Sequence, residues 1–161
     1  MSCENKGTLK IFTDGGSRGN GSEDSVGAWA YVLVVDDKNT FSDFGALHGV
    51  TNNQMELVAV IHALSMCLDY ELINDDILLF SDSAYVVNGV NNWIKGWKKK
   101  NWKKADGSNV LNIELWKKLD YLQSKFNKLE ILKIKGHSGN KGNEEADRLV
   151  NLAMDKLITS Q

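Results

Sequence analysis

The chain has 161 residues and a formal net charge of −2, long enough for one domain with a real hydrophobic core and no disulfide or structural metal. Its two cysteines, Cys3 and Cys67, make no disulfide framework, and no Cys/His group has zinc spacing. A reducing, cytoplasmic setting is therefore expected. No stretch approaches the ~20 apolar residues of a membrane span or resembles a secretory leader, so the expectation is a soluble protein with no membrane partner.

In chain order, Thr8 to Asp14 (TLKIFTD) alternates and is rich in β formers, which predicts a strand. Gly15 to Ser25 holds four glycines and an Asn and reads as a loop or broad turn. Gly27 to Val35 is a largely apolar strand, and Phe41 to His48 a third; short turns between them predict an antiparallel meander. From Asn53 to Tyr70, Met55, Val58, Ala59, Ile61, Leu64, Cys67 and Leu68 recur at three- and four-residue spacing, the period of an amphipathic helix. Ile77 to Ser81 reads as a strand buried on both faces. Short helices are predicted at Ser83 to Val90 and Trp93 to Lys98, then a helix over Asn112 to Ser124, a fifth strand over Leu129 to Lys135, and a last helix over Asn143 to Leu157. The order β-β-β-α-β-α-α-α-β-α describes an α/β protein, a mixed sheet with helices packed on it.

Two acids stand where an apolar strand ends: Asp14 after LKIFT and Asp82 after LLFS. Such strand ends are favoured places for functional groups in α/β sheets. Glu56 falls in the predicted first turn of the first long helix, and Asp147 in that of the last. Singly, each has an ordinary explanation as a turn residue, a cap or a partner of the helix dipole. If the strands are neighbours and both helices pack close, four carboxylates converge and repel, and hard divalent cations with oxygen ligands relieve that repulsion. The near-neutral total charge also conceals a basic stretch. Lys95, Lys98, Lys99, Lys100, Lys103 and Lys104 are interleaved with Trp97 and Trp102.

The segments T-D-G-G (Thr13 to Gly16), T-N-N-Q-M-E-L (Thr51 to Leu57), S-D-S (Ser81 to Ser83) and G-H-S-G…N-E-E-A-D (Gly136 to Asp147) stand in the order found in type 1 ribonuclease H. The chain resembles that family from about Leu9 to Met154, including W-I-K-G-W-K-K-K-N-W-K (Trp93 to Lys103). The resemblance implies a ribonuclease H-like fold with a five-stranded mixed sheet, three strands antiparallel and then parallel ones, in a single domain over 1–161. Residues 1–7 would be a short N-terminal extension and 93–108 a basic protrusion.

The resemblance further implies an endonuclease that hydrolyses the RNA strand of RNA–DNA hybrids, leaving 5′-phosphate and 3′-hydroxyl ends. Asp14, Glu56, Asp82 and Asp147 match the family's metal-binding acids, for two Mg²⁺ ions or Mn²⁺ in their place. His137 matches the catalytic histidine, a group that titrates near neutrality. His48 and His62 form no ligand-spaced pair and are expected to be structural or on the surface.

For the hybrid, the resemblance places Gly15, Ser17 and Asn20 at the minor groove, where a 2′-hydroxyl distinguishes RNA from DNA. Asn52 and Asn53 would contact bases or sugars. Trp93, Trp97, Lys98, Lys99 and Lys100 would grip the DNA strand, with Tyr85 lining its channel and Trp102 packing the protrusion's base. Thr51 and Asn112 match two residues of a DNA-phosphate pocket. Gly49 stands where an Arg would complete that pocket, and Gln54 replaces a commonly basic residue. The enzyme is expected to be a monomer. The same acids could serve another nuclease or polynucleotidyl transferase of the superfamily, and a non-catalytic hybrid-binding module is the alternative from a different class.

Overall fold

The computed structural model describes residues 8–20, 22–136 and 139–160. The expected N-terminal extension at 1–7 and His137 lie outside them. Five strands form one sheet in the order β3-β2-β1-β4-β5. These are β1 (Leu9–Arg18), β2 (Val26–Val35), β3 (Lys38–His48), β4 (Asp76–Ser81) and β5 (Lys128–Lys133). Pairing is antiparallel from β1 to β2 and β2 to β3, and parallel from β1 to β4 and β4 to β5. This is the mixed sheet that the resemblance implies, three strands antiparallel and then parallel ones.

Strand alternation sends side chains to two cores. Ile11 of β1 and Trp29, Tyr31 and Leu33 of β2 face one helical layer, while Phe12, Ala28, Ala30, Val32 and Val34 face the other. The first layer holds α1 (Asn52–Asp69), α2 (Ala84–Asn88), α3 (Ile94–Lys99) and α4 (Ile113–Gln123). Among the described residues the second holds only α5 (Lys141–Thr159), which lays Ala146, Leu149, Val150, Ala153 and Met154 across the sheet. Phe12 stacks on Phe80 beneath it, ring centroids 5.1 Å apart.

Several boundaries differ from the sequence expectation. The glycine-rich stretch after Asp14 is strand as far as Arg18, because β2 supplies a full ladder from Gly15 opposite Trp29 to Arg18 opposite Val26. β3 begins at Lys38, since the exposed Lys38 and Asn39 pair with β2 without contributing apolar side chains. The two short helices after Asp82 are one helical run joined by a π turn over Gly89–Trp93. There the ring of Trp116 lies against Gly89, leaving no room for a Cβ. β5 ends at Lys133, and α5 starts two residues earlier than expected because Asn140 caps it by accepting from Gly142 N and Asn143 N. α1 starts at Asn52 behind a capping box. Gln54 N donates to the Thr51 hydroxyl, and Thr51 N donates to the Gln54 side chain.

One contact sets how closely α1 lies on the sheet. A Cβ at Gly15 would stand 2.3 Å from the Met55 carbonyl carbon and 2.5 Å from the Glu56 nitrogen. These are backbone atoms that cannot rotate away. Gly15→Ala is therefore expected to lose about 3 kcal/mol or more of stability, read as a lower urea midpoint at unchanged m-value. Gly16→Ala is the control, because its Cβ would meet nothing closer than 3.7 Å. Equal midpoints for the two variants would refute this account of the α1–β1 contact.

Candidate active site

The register Thr13↔Ser81 between the parallel strands β1 and β4 places the next residues, Asp14 and Asp82, side by side where β4 and its pairing with β1 end. Glu56 reaches the same place from α1. Oxygens of Asp14, Glu56 and Asp82 all lie within 4.8 Å of one another. Asp147 arrives from α5 on the opposite face. Its carboxyl is within hydrogen-bonding reach of Asp14, though outside that set of three. Glu56 and Asp147 sit in the second turn of their helices rather than the first, because both helices begin earlier than the apolar period indicates. The four acids expected from the sequence are thus brought together.

Their electrostatics follow from this packing. Burial, reinforced by the charges of Asp82 and Asp147, pushes the Asp14 carboxyl from 3.8 up to about 8. Burial and the charges of Asp14 and Asp82 hold Glu56 well above the usual carboxylate range. Glu56 Oε1 is buried with no hydrogen-bond partner among the described residues. A buried acceptor without a donor is costly, and here it faces two further carboxylates. An all-oxygen set with an orphaned acceptor fits a hard divalent cation.

Small residues bring the remaining parts close. A Cβ at Gly142 would strike the Phe12 ring at 2.3 Å, so glycine lets the start of α5 settle on β1. The Cβ position of Gly136 lies 3.1 Å from Asp82 Oδ2, so the chain entering the predicted histidine loop passes beside the acids.

The residues expected at a minor groove form one surface around the end of β1 and the start of α1. Ser17 N donates to Asn52 Oδ1 at 2.6 Å, the Ser17 hydroxyl donates to Val50 O at 2.8 Å, and Asn52 N donates to Asn20 Oδ1 at 2.9 Å. Asn53 is exposed beside them. Further along, Thr51 and Asn112 are linked through Gln54, whose Nε2 lies 3.5 Å from Asn112 Oδ1. Asn112 Nδ2 in turn donates to the Tyr85 hydroxyl at 3.0 Å. Gln54 escaped the sequence reading as a bridging residue, although T-x-x-Q before an apolar run is a legible capping signal.

The tryptophans of the basic segment pack as a cluster. Trp97 has ring centroids 5.9 Å from Trp93, 6.1 Å from Trp102 and 5.3 Å from Trp116. Trp93 remains 39% exposed at the surface end of this stack. Lys98 pairs with Asp120 at 3.2 Å, while Lys99 and Lys100 point to solvent at the end of α3. His62 stands away from the acids, stacked on Trp29 at 3.8 Å between ring centroids, and His48 ends the exposed strand β3.

The RNase H family model matches residues 6–155. The chain belongs to the RNase H family. It is 46% identical over 149 residues to Ribonuclease H of Ruthia magnifica subsp. Calyptogena magnifica, covering 92% of this chain and 97% of that protein. To Ribonuclease H of Clostridium botulinum it is 45% identical over 153 residues, covering 91% and 95%. Among solved structures, RNase H1 from the halophilic archaeon Halobacterium salinarum matches with a TM-score of 0.68 at 28% identity, covering 93% of this chain and 99% of that one. LC11-RNase H1, solved in complex with RNA/DNA hybrid, shares the fold with a TM-score of 0.71 at 23% identity, covering 93% and 99%. Membership makes this chain a nuclease. Among the described residues no helix is long and apolar enough to cross a membrane.

The raised pKa of Asp14 has a consequence for stability without divalent ions. The carboxyl loses its proton near 3.8 when unfolded and near 8 when folded. Across that window the folded state holds more protons, so stability falls as pH rises and levels off above the folded pKa. The expected result in chelator is a melting temperature that drops from about pH 5 to about pH 8. Asp14→Asn should flatten that drop and melt several degrees higher at the alkaline end, each kcal/mol being worth about 2–4 °C in a chain of this size. Mg²⁺ should raise the wild type more than the variant. A variant that melts lower than wild type in chelator would contradict strain among these acids.

Proposed function

We propose that this protein is an endoribonuclease that hydrolyses the RNA strand of RNA–DNA hybrids, leaving 5′-phosphate and 3′-hydroxyl ends. The observation that carries the reading is the convergence of Asp14, Glu56 and Asp82 within 4.8 Å, with Glu56 Oε1 buried and unpartnered among the described residues and Asp147 beside them. Relatives named Ribonuclease H across nearly the whole chain support it, as does a hybrid-bound structure of the same fold.

Asp14, Glu56, Asp82 and Asp147 would hold two Mg²⁺ ions, with Mn²⁺ as a substitute. When bound, such ions make water nucleophilic near neutral pH and neutralise charge developing on the phosphate. The protein's own groups do the rest. The carboxylates would fix where the cations and the scissile phosphate sit, Asp14 from β1, Asp82 from just past β4, Glu56 from α1 and Asp147 from α5. His137, one residue beyond Gly136, would accept or return a proton as the product leaves.

Gly15, Ser17, Asn20, Asn52 and Asn53 would read the minor groove from the hydrogen-bonded surface around the start of α1. Thr51, Asn112, Tyr85, Trp93 and Trp97 would meet the DNA strand, with Lys98, Lys99 and Lys100 neutralising its phosphates from the protrusion at 93–108. The whole chain would act as a single domain, as a monomer, in the cytoplasm.

Two experiments test this reading. A labelled hybrid with Mg²⁺ should be cut only in its RNA strand, with single-stranded RNA, duplex RNA and duplex DNA left intact. Asp14→Asn should slow cutting by more than about a hundredfold, the scale reached by losing even an outer-shell partner of a metal site. A hybrid bound but left whole with either metal would end the enzyme reading, and cutting of DNA would point to the wider superfamily. Separately, Lys99→Ala with Lys100→Ala should weaken hybrid binding across sequences and flatten its salt slope by about 1 per lost phosphate contact. An unchanged slope would remove these lysines from the interface.

A further inference from the structure

Gln54 is uncharged where the resembling family commonly carries a basic residue, and its amide joins the start of α1 to the residue before α4. Its Oε1 accepts the Thr51 backbone N–H at 2.9 Å, which turns the nitrogen end of the amide the other way. That Nε2 reaches Asn112 Oδ1 at 3.5 Å, a long contact but one of definite polarity. Asn112 is then fixed with its oxygen toward Gln54 and its Nδ2 toward Tyr85, whose hydroxyl oxygen it meets at 3.0 Å. The indole N–H of Trp116 donates to the same Tyr85 oxygen at 3.1 Å. Both ends of this chain of bonds are unambiguous, because a backbone N–H and an indole N–H can only donate.

The consequence falls on one proton. Two donors, Asn112 Nδ2 and Trp116 Nε1, meet the Tyr85 oxygen, and among the described residues its own O–H meets no acceptor. If the Asn112 amide were reversed, its Oδ1 would face Tyr85 and take that proton. The Gln54 amide decides which arrangement forms. Tyr85 and Asn112 are half-buried, and the Tyr85 ring lies 5.8 Å from that of the exposed Trp93, so Tyr85 borders the surface assigned to the DNA strand.

Resting on the hybrid-binding reading of that surface, we propose that Gln54 is a positioning residue. It sets the polarity of the Asn112 amide so that the Tyr85 hydroxyl presents its proton to a phosphate oxygen of the bound nucleic acid. The competing account is that Gln54 only completes the α1 capping box. Charge-assisted bonds to phosphate are the stronger class of hydrogen bond, so loss of this one should be visible in binding.

The test is a double-mutant cycle between Gln54→Glu and Tyr85→Phe, read as kcat and KM on a labelled hybrid. Gln54→Glu keeps an acceptor for the Thr51 N–H, and with it the cap, but offers Asn112 a second oxygen. The Asn112 amide should reverse and consume the Tyr85 proton. The expected result is a KM raised about tenfold with kcat within about twofold, since the four acids are untouched. In the Tyr85→Phe background the same change should alter KM less than about twofold. Gln54→Met, which adds no charge, should show a smaller rise that also disappears with Tyr85→Phe.

A tenfold rise that persists in Tyr85→Phe would mean that the added negative charge acts directly, and would overturn the proposal. A wild-type KM in Gln54→Glu would leave only the cap. Repeating the cycle by hybrid-binding anisotropy in the Asp14→Asn background separates this inference from the nuclease reading. The same coupling in a chain that cuts no hybrid would sink the activity and keep the role of Gln54.

Discussion

β1 and α1 touch backbone to backbone at Gly15, and the geometry of the site depends on that contact. Any side chain there would push the helix outward and carry Glu56 away from Asp14. With glycine, the carboxylate on the helix and the one on the strand are forced into a shared volume that neither would choose in water. Gly142 does the equivalent work on the opposite face, where the start of α5 rests on the Phe12 ring. The acids are therefore assembled by close packing of backbone, and the hydrophobic layers on both faces supply the free energy that holds them there.

That arrangement stores electrostatic strain. Asp14 and Glu56 are raised first by burial and then by neighbouring charge, and Glu56 Oε1 has no donor among the described residues. A fold optimised for stability alone would not place three carboxylate oxygens within 4.8 Å. Such local conflicts with otherwise consistent packing are the mark of a functional site. Here the chemistry of the conflict, oxygen ligands only, names the class of group that resolves it.

The same economy extends to the surface beside the acids. Thr51, Gln54, Asn112, Tyr85 and Trp116 belong to three helices and the residues that cap them, yet their polar atoms form one directed series of bonds. The aromatic stack of Trp93, Trp97, Trp102 and Trp116 joins the basic segment to that series. Trp97 and Trp102 pack inward and Trp93 keeps an open face. The basic segment is thereby anchored to the core beneath the site instead of hanging free of it.

Much of this was legible in the linear chain. The apolar periods located all five strands and the long helices, because alternation and three-to-four spacing are local consequences of backbone geometry. The motifs around Asp14, Glu56, Asp82 and Asp147 named the acids. The glycine-rich stretch after Asp14 misled, since composition points to a loop while the β2 ladder holds it extended to Arg18. The joined helical run through Gly89 also lay beyond sequence reasoning, because it depends on Trp116 lying across a missing Cβ. By itself, then, the sequence determined which residues are apolar, which are acidic, and in what order the elements come. Only the tertiary structure decided that Asp14, Glu56 and Asp82 share one site and that the Gln54 amide points its nitrogen at Asn112. Both depend on distances between segments far apart in the chain, which are set by packing and which no local pattern encodes.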